Sequence, residues 1–262
     1  MTSTTASYLS KHKRFWEIDL LRTIAIVMMI IFHTLYLLNY FDIQYTGVPG
    51  PYHGFWWWIT RLMIIGPFTF LTGVSLTISH SRGKGISKFL LRGLKIFAWG
   101  MAITLLTWLI APEEYVRFGI LHFFGVAFIL APFFLRFRYI NLILGVAVMA
   151  LNIYLVDQRV FVDSPWLLWL MIYPHRTLDY WPLQSWFGLF LVGMFAGEML
   201  YPQGNRRFHI PDFNNPVTSA LTLPGRHPLV IYLAQWPALI GILLLLFPTN
   251  VLPYLSSFPF RT

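Results

Sequence analysis

The chain of 262 residues contains no cysteine. That excludes disulfides, thiolate metal sites and a cysteine nucleophile, while leaving the compartment open. Charge is also scarce. Only 11% of residues are Asp, Glu, Lys or Arg, against about 25% in soluble domains, too few to clothe an ordinary aqueous surface. The signatures GxxxxGK[ST], GxSxG, HExxH and GxGxxG are absent, so no P-loop, serine-hydrolase elbow, zincin helix or dinucleotide fingerprint is written here. The opening "MTSTTASYLSKHKRF" is polar and basic, and the apolar run after it is too long for a signal-peptide core, so no cleaved signal peptide is expected.

What the chain has instead is hydrophobicity: 57% of residues and a mean hydropathy of +0.62. Apolar runs near 18–40, 55–79, 94–110, 118–135, 140–156, 185–201 and 228–247 predict seven spans, of which the third, fifth and sixth are short. The piece "PWLLWLMIY" at 165–173 is too short to cross and reads as interfacial, re-entrant or part of an extra span. The fold class predicted is therefore all-α, a polytopic transmembrane helix bundle forming a single domain over 1–262. Basic residues orient it. Lys11, Lys13, Arg14, Arg82, Lys84, Lys88, Arg92, Lys95, Arg136, Arg138, Arg206, Arg207 and Arg226 fall on the side of the N-terminus, against Arg117, Arg159, Arg176 and Arg261 on the other. This bias predicts a cytoplasmic N-terminal segment, 1–17, a long outer loop, 157–184, an inner loop, 202–227, and an outer C-terminus. The net charge of +9 is read as this topology rather than as nucleic-acid binding.

With that topology, four histidines gather at the outer side. His53 stands before the second span, His33 late in the first, His122 early in the fourth, and His175 in the long outer loop near Asp179. Arg61 lies inside the second span, roughly 12 Å of helix beyond His53 at 1.5 Å per residue. Each has a plain alternative. His33 and His122 can be core histidines, His175 a loop residue, and Arg61 a side chain reaching for headgroups. Together they are more informative, because intramembrane ionisable groups are costly and histidine exchanges protons near neutral pH. At the inner side, Arg82, Lys84, Lys88 and Arg92, with Arg206, Arg207 and Arg226, can either set topology or hold a polyanion through charge-assisted bonds. Asp19 and Arg22 have the spacing of a helical ion pair, and "FWWW" at 55–58 reads first as an interfacial aromatic belt.

Five segments carry a resemblance: "RFWEIDLLRTIAIVMMIIFH" (14–33), "PFTFLTGVSL" (67–76), "RFGILHFFGVAFIL" (117–130), "DYWPLQSWFGLFLVG" (179–193) and "GRHPLVIYLAQWP" (225–237). In this order they resemble the membrane acyltransferase family of heparan-alpha-glucosaminide N-acetyltransferase, which also holds many short prokaryotic members. The resemblance implies transfer of an acetyl or other acyl group from cytosolic acyl-CoA to an acceptor amine or hydroxyl, a sugar or glycolipid, across the membrane. It places the catalytic histidine at His53, whose spacing to Pro67 matches the family's. His33 falls where the heparan enzyme has an asparagine. Thr23 replaces a usual glycine, and Gln184-Ser185 a proline-containing pair. The heparan enzyme has more spans and a large lumenal region, so heparan itself is not implied as the substrate.

The expectation is an enzyme of the plasma membrane with catalytic candidates His53, His33, Arg61, His122 and Asp179. Acyl-CoA, held by the inner basic residues, would be the donor substrate. Membrane lipid and a small-molecule or glycan acceptor are the expected partners, with no metal and no nucleic acid, and a homodimer is compatible with this. The rival readings are a transporter or flippase, and a haem-binding electron-transfer protein using His33 and His122.

Overall fold

The computed structural model describes residues 14–43, 54–171, 177–213 and 215–256, with side chains throughout those ranges except at 54–61 and 256. The described residues form helices α1 (Trp16–Tyr40), α2 (Gly54–Ser81), α3 (Ile86–Ile110), α4 (Ile120–Phe134), α5 (Arg138–Asp157), α6 (Leu183–Leu200), α7 (Pro216–Arg226), α8 (Pro228–Leu246) and α9 (Pro248–Ser256). The chain divides into two compact units, one of residues 1–68 and 210–261 and the other of 69–209.

The helix ends follow from the local sequence. Pro216, Pro228 and Pro248 each occupy the first position of a helix, where a missing N–H and a fixed φ cost nothing. Asn215 caps α7 by accepting from the Thr218 N–H at 2.8 Å. Gly83, at φ +84°, closes α2: its N–H reaches the His80 carbonyl while the Lys84 N–H returns to Ser79. The stretch "SRGKG" is thus a helix stop followed by the start of α3.

In the first unit, α1 packs on α7 and α8, and α9 folds back on α8. Leu37, Phe41, Ile43, Leu243 and Val251 form a buried apolar cluster flanked by Tyr36 and Trp236. Gly225 lies so close to α1 that a Cβ there would collide with the Asp19 carbonyl oxygen. In the second unit, α3 pairs with α4 and α5 with α6. A Cβ on Gly93 would sit 2.8 Å from the Gly125 carbonyl oxygen, and one on Gly145 2.7 Å from that of Gly188. Small residues at these crossings let backbones approach where lipid supplies no hydrophobic drive between helices.

Six described helices are long and apolar enough to cross a membrane: Trp16–Tyr40, Leu62–Ser81, Ile86–Ile110, Arg138–Asp157, Leu183–Leu200 and Pro228–Leu246. The protein is an all-α, multi-pass membrane bundle. The expected fourth span is the fifteen-residue α4, shorter than the roughly 20 residues a crossing needs. The third span begins at Ile86 rather than near 94, so Lys88 and Arg92 sit on helix and not in a loop. Residues 165–170 form turns rather than a helix. The expected inner loop 202–227 contains α7.

Candidate functional site

The end of the first unit that carries the start of α1 is an ion-pair junction between α1 and α7. Arg22 donates to Asp19 Oδ1 at 2.7 Å and to the Gly225 carbonyl at 3.4 Å. Arg226 stands 3.8 Å from the other Asp19 oxygen and donates to Thr222 Oγ1 at 2.7 Å. Thr23 Oγ1 donates to the Asp19 carbonyl and accepts the Gly225 N–H at 2.9 Å. The Thr23 hydroxyl therefore fastens the two helices, a task glycine could not perform. Beside this junction is a groove of about 230 Å³ whose lining includes Arg14, Trp16, Asp19, Asp212, Phe213 and Arg226. It offers two cations, two carboxylates and an edge-to-face Trp16–Phe213 pair, with centroids 5.2 Å apart.

Farther along α1, His33 is half-buried, with its Nδ1 covered and without a hydrogen-bond partner. Its ring lies 5.0 Å from that of Trp236 on α8. The neighbouring Gln235 is 5% exposed. Its carboxamide lies beside His33, close enough to act on that ring as a hydrogen-bond partner but outside good hydrogen-bond geometry, and neither its oxygen nor its nitrogen has another partner.

The second unit treats its polar groups differently. His122, on α4, is 2% exposed. Its Nδ1 accepts the Gly119 N–H at 3.1 Å, which leaves the ring proton on Nε2, facing Thr104 Oγ1 at 3.3 Å. Thr104 passes the chain on to the Val116 carbonyl at 2.7 Å. Asp179 accepts the Ile120 N–H at 2.9 Å and the Trp181 indole N–H, placing a carboxylate at the N-terminus of α4, where the helix dipole favours it. His122 and Asp179 thereby hold the start of α4 and the segment that leads into α6. With both ring nitrogens engaged, His122 presents no open lone pair for a haem iron.

Among the basic residues expected at the inner side, Arg82 donates twice to the Gly204 carbonyl, from Nε at 3.0 Å and from a terminal nitrogen at 2.8 Å. It ties the α2–α3 turn to the segment that carries Arg206 and Arg207. Lys84, Lys88 and Arg207 are exposed. The Arg92 guanidinium lies over the Phe128 ring, 4.9 Å from its centroid. Arg226 belongs to the first unit, and Arg82, Lys84, Lys88, Arg92, Arg206 and Arg207 to the second. His53 and His175 lie outside the described residues. Arg61 falls on α2, but its side chain is not among those described. Among the described residues no group of three or more His, Asp or Glu side chains is placed to hold a metal ion. Gln235 is the polar residue that sequence reasoning passed over.

A bundle of long apolar helices with buried polar side chains is the framework of an integral membrane enzyme or carrier. The family described as heparan-alpha-glucosaminide N-acetyltransferase, catalytic, matches residues 14–237. Because that match spans most of the chain, the protein belongs to this family, one of membrane-embedded, acyl-CoA-dependent acetyltransferases acting on sugar or glycolipid acceptors. No curated protein and no solved structure matches the chain.

Proposed function

We propose that the whole chain, 1–262, works as one acyltransferase domain of the plasma membrane, moving an acetyl or other acyl group from cytosolic acyl-CoA to an amine or hydroxyl of a sugar or glycolipid at the outer side. The observation that carries this is the family match over 14–237, which takes in all five sequence anchors in order. The basic bias supports a cytoplasmic N-terminus, with α4 completing seven spans. Lys84, Lys88, Arg92, Arg206, Arg207 and Arg226 are the cations offered to the CoA phosphates, with Arg82 holding two of their segments in register.

His53 is the base in this reading. It takes the proton of the acceptor as the acceptor nitrogen or oxygen bonds to the acyl carbon. The C–S bond breaks, and the proton passes from His53 to the departing CoA thiolate. An acyl-histidine intermediate would divide the same bond changes into two steps. Arg61 and His33 are the groups proposed to stabilise the developing oxyanion, which calls for preorganised donors. Asp179 and His122 act on the site through the fold. The test is transfer of labelled acetyl from acetyl-CoA in membranes that carry the protein. His53→Ala should insert normally, bind acetyl-CoA and lose at least about 100-fold in transfer, the lower end of what a positioned acid or base contributes. His53→Asn should fail equally, because an amide cannot accept a proton near neutral pH. Near-normal transfer by either variant would move the base elsewhere.

A further inference from the structure

Among the described residues of the first unit, two buried polar atoms without a hydrogen bond, Asp19 Oδ2 and Arg226 Nε, face each other as an ion pair at 3.8 Å. Thr23 is bonded on both sides. Asp19 holds Arg22, and Thr222 donates to the Thr218 carbonyl while accepting from Arg226. Gln235 alone is 95% covered, being 5% exposed, with both amide atoms unmet. The His33 ring lies alongside it, within reach of its carboxamide but with Nδ1 lacking a well-formed hydrogen bond. These three atoms sit within helices of membrane-spanning length, where no water is at hand to satisfy them. Burying polar groups without partners is costly, so three such atoms in one place describe a receptor awaiting a polar ligand.

The chemistry of the ligand can be read from the receptor. A carboxamide presents a donor and an acceptor side by side, and its complement is another amide, which can bond to both at once. A thioester offers only acceptors. The pantetheine arm of acyl-CoA contains two secondary amides. Depth agrees with this match. Helix α8 begins at Pro228, next to the junction on α1, and Gln235 lies seven residues along it, or about 10 Å at 1.5 Å per residue. That is about a third of the ~30 Å hydrocarbon core. An arm whose nucleotide stays at the inner face and whose acyl group reaches the outer half must pass this level.

We propose that Gln235, flanked by His33, binds the donor's pantetheine arm through one of its secondary amides. The proposal rests on the acyl-CoA reading above and adds to it a residue, a depth and a bond.

The test uses the purified full chain in lipid nanodiscs and the variant Gln235→Met, which keeps length and removes both polar atoms. Two ligands are titrated: acetyl-CoA, and adenosine 3′,5′-bisphosphate, a nucleotide that lacks the arm. Thermal unfolding without ligand is measured alongside. Gln235→Met should weaken acetyl-CoA binding roughly tenfold, the worth of one or two hydrogen bonds. Affinity for the nucleotide should stay the same. The ligand-free melting temperature should hold or rise, because the amide makes no well-formed hydrogen bond within the protein. Unchanged acetyl-CoA affinity, or equal losses for the two ligands, would overturn the proposal. So would a variant that melts lower or fails to fold, since the glutamine would then be a structural group. A wild-type chain that binds no acetyl-CoA would instead remove the acyl-CoA reading itself, and this proposal with it.

Discussion

Two helix-borne histidines of this protein live in opposite circumstances. His122 has each ring nitrogen engaged, one with the Gly119 N–H and the other with Thr104, and Asp179 nearby braces the same helix start. His33 keeps its covered Nδ1 without a well-formed hydrogen bond, beside a glutamine whose two polar atoms also lack one. Both looked alike as histidines in apolar runs. The difference teaches that a buried polar residue with complete bonds serves the fold, while one held incomplete at the fold's expense is a candidate for contact with substrate.

Substitutions can break that contrast, and the largest effect is expected at His122. His122→Ala would strand the Gly119 N–H, release Thr104 and leave a void against Phe97 and Phe118, whose rings lie 5.2 and 5.5 Å away. Thermal unfolding in detergent should show a loss of about 3 kcal/mol. The fraction that folds should retain acyl transfer. A stable His122→Ala that binds donor but transfers nothing would place His122 at the chemistry. Asp179→Ala should come next, with a loss of about 2 kcal/mol from an emptied cap and an unpaired indole N–H. Asp179→Asn should recover part of it, because its amide oxygen can still accept one of those N–H groups. Activity lost in Asp179→Asn without any loss of stability would contradict a bracing role. The smallest change in stability belongs to His33→Phe, within about 0.5 kcal/mol, since no well-formed hydrogen bond to Nδ1 is given up. Transfer by this variant should nevertheless fall clearly, and a fully active, stable His33→Phe would erase the distinction between the two histidines.

Much of the architecture was legible as hydropathy. The limits of α1, α2, α5, α6 and α8 fall within two residues of the apolar runs, because charge, proline or glycine interrupts the pattern at their ends. The start of α3 was placed too late since Lys88 and Arg92 interrupt the hydropathy but not the helix. Lysine and arginine are good helix formers and can carry their charge to the interface. Helix α7 was hidden in a polar segment, although Asn215-Pro216 is a capping pair that marks a helix start. The bracing roles of Asp179 and His122 depend on contacts such as Ile120 to Asp179, 59 residues apart in sequence, which no local pattern encodes. Gln235 escaped notice for a related reason. It is uncharged, it stands alone in an apolar run, and its unmet state arises only from packing against α1.

The central claim is that this membrane protein is built to take acyl-CoA. Thermal unfolding of the purified wild-type chain with increasing acetyl-CoA tests it most directly, because a ligand that binds the folded state stabilises it by RT ln(1 + [L]/Kd), about 2.7 kcal/mol at one hundred times Kd. The account predicts a saturable rise in melting temperature with acetyl-CoA, weakened by salt because the phosphates meet exposed cations. A melting temperature that stays fixed as acetyl-CoA is raised through the millimolar range would contradict it.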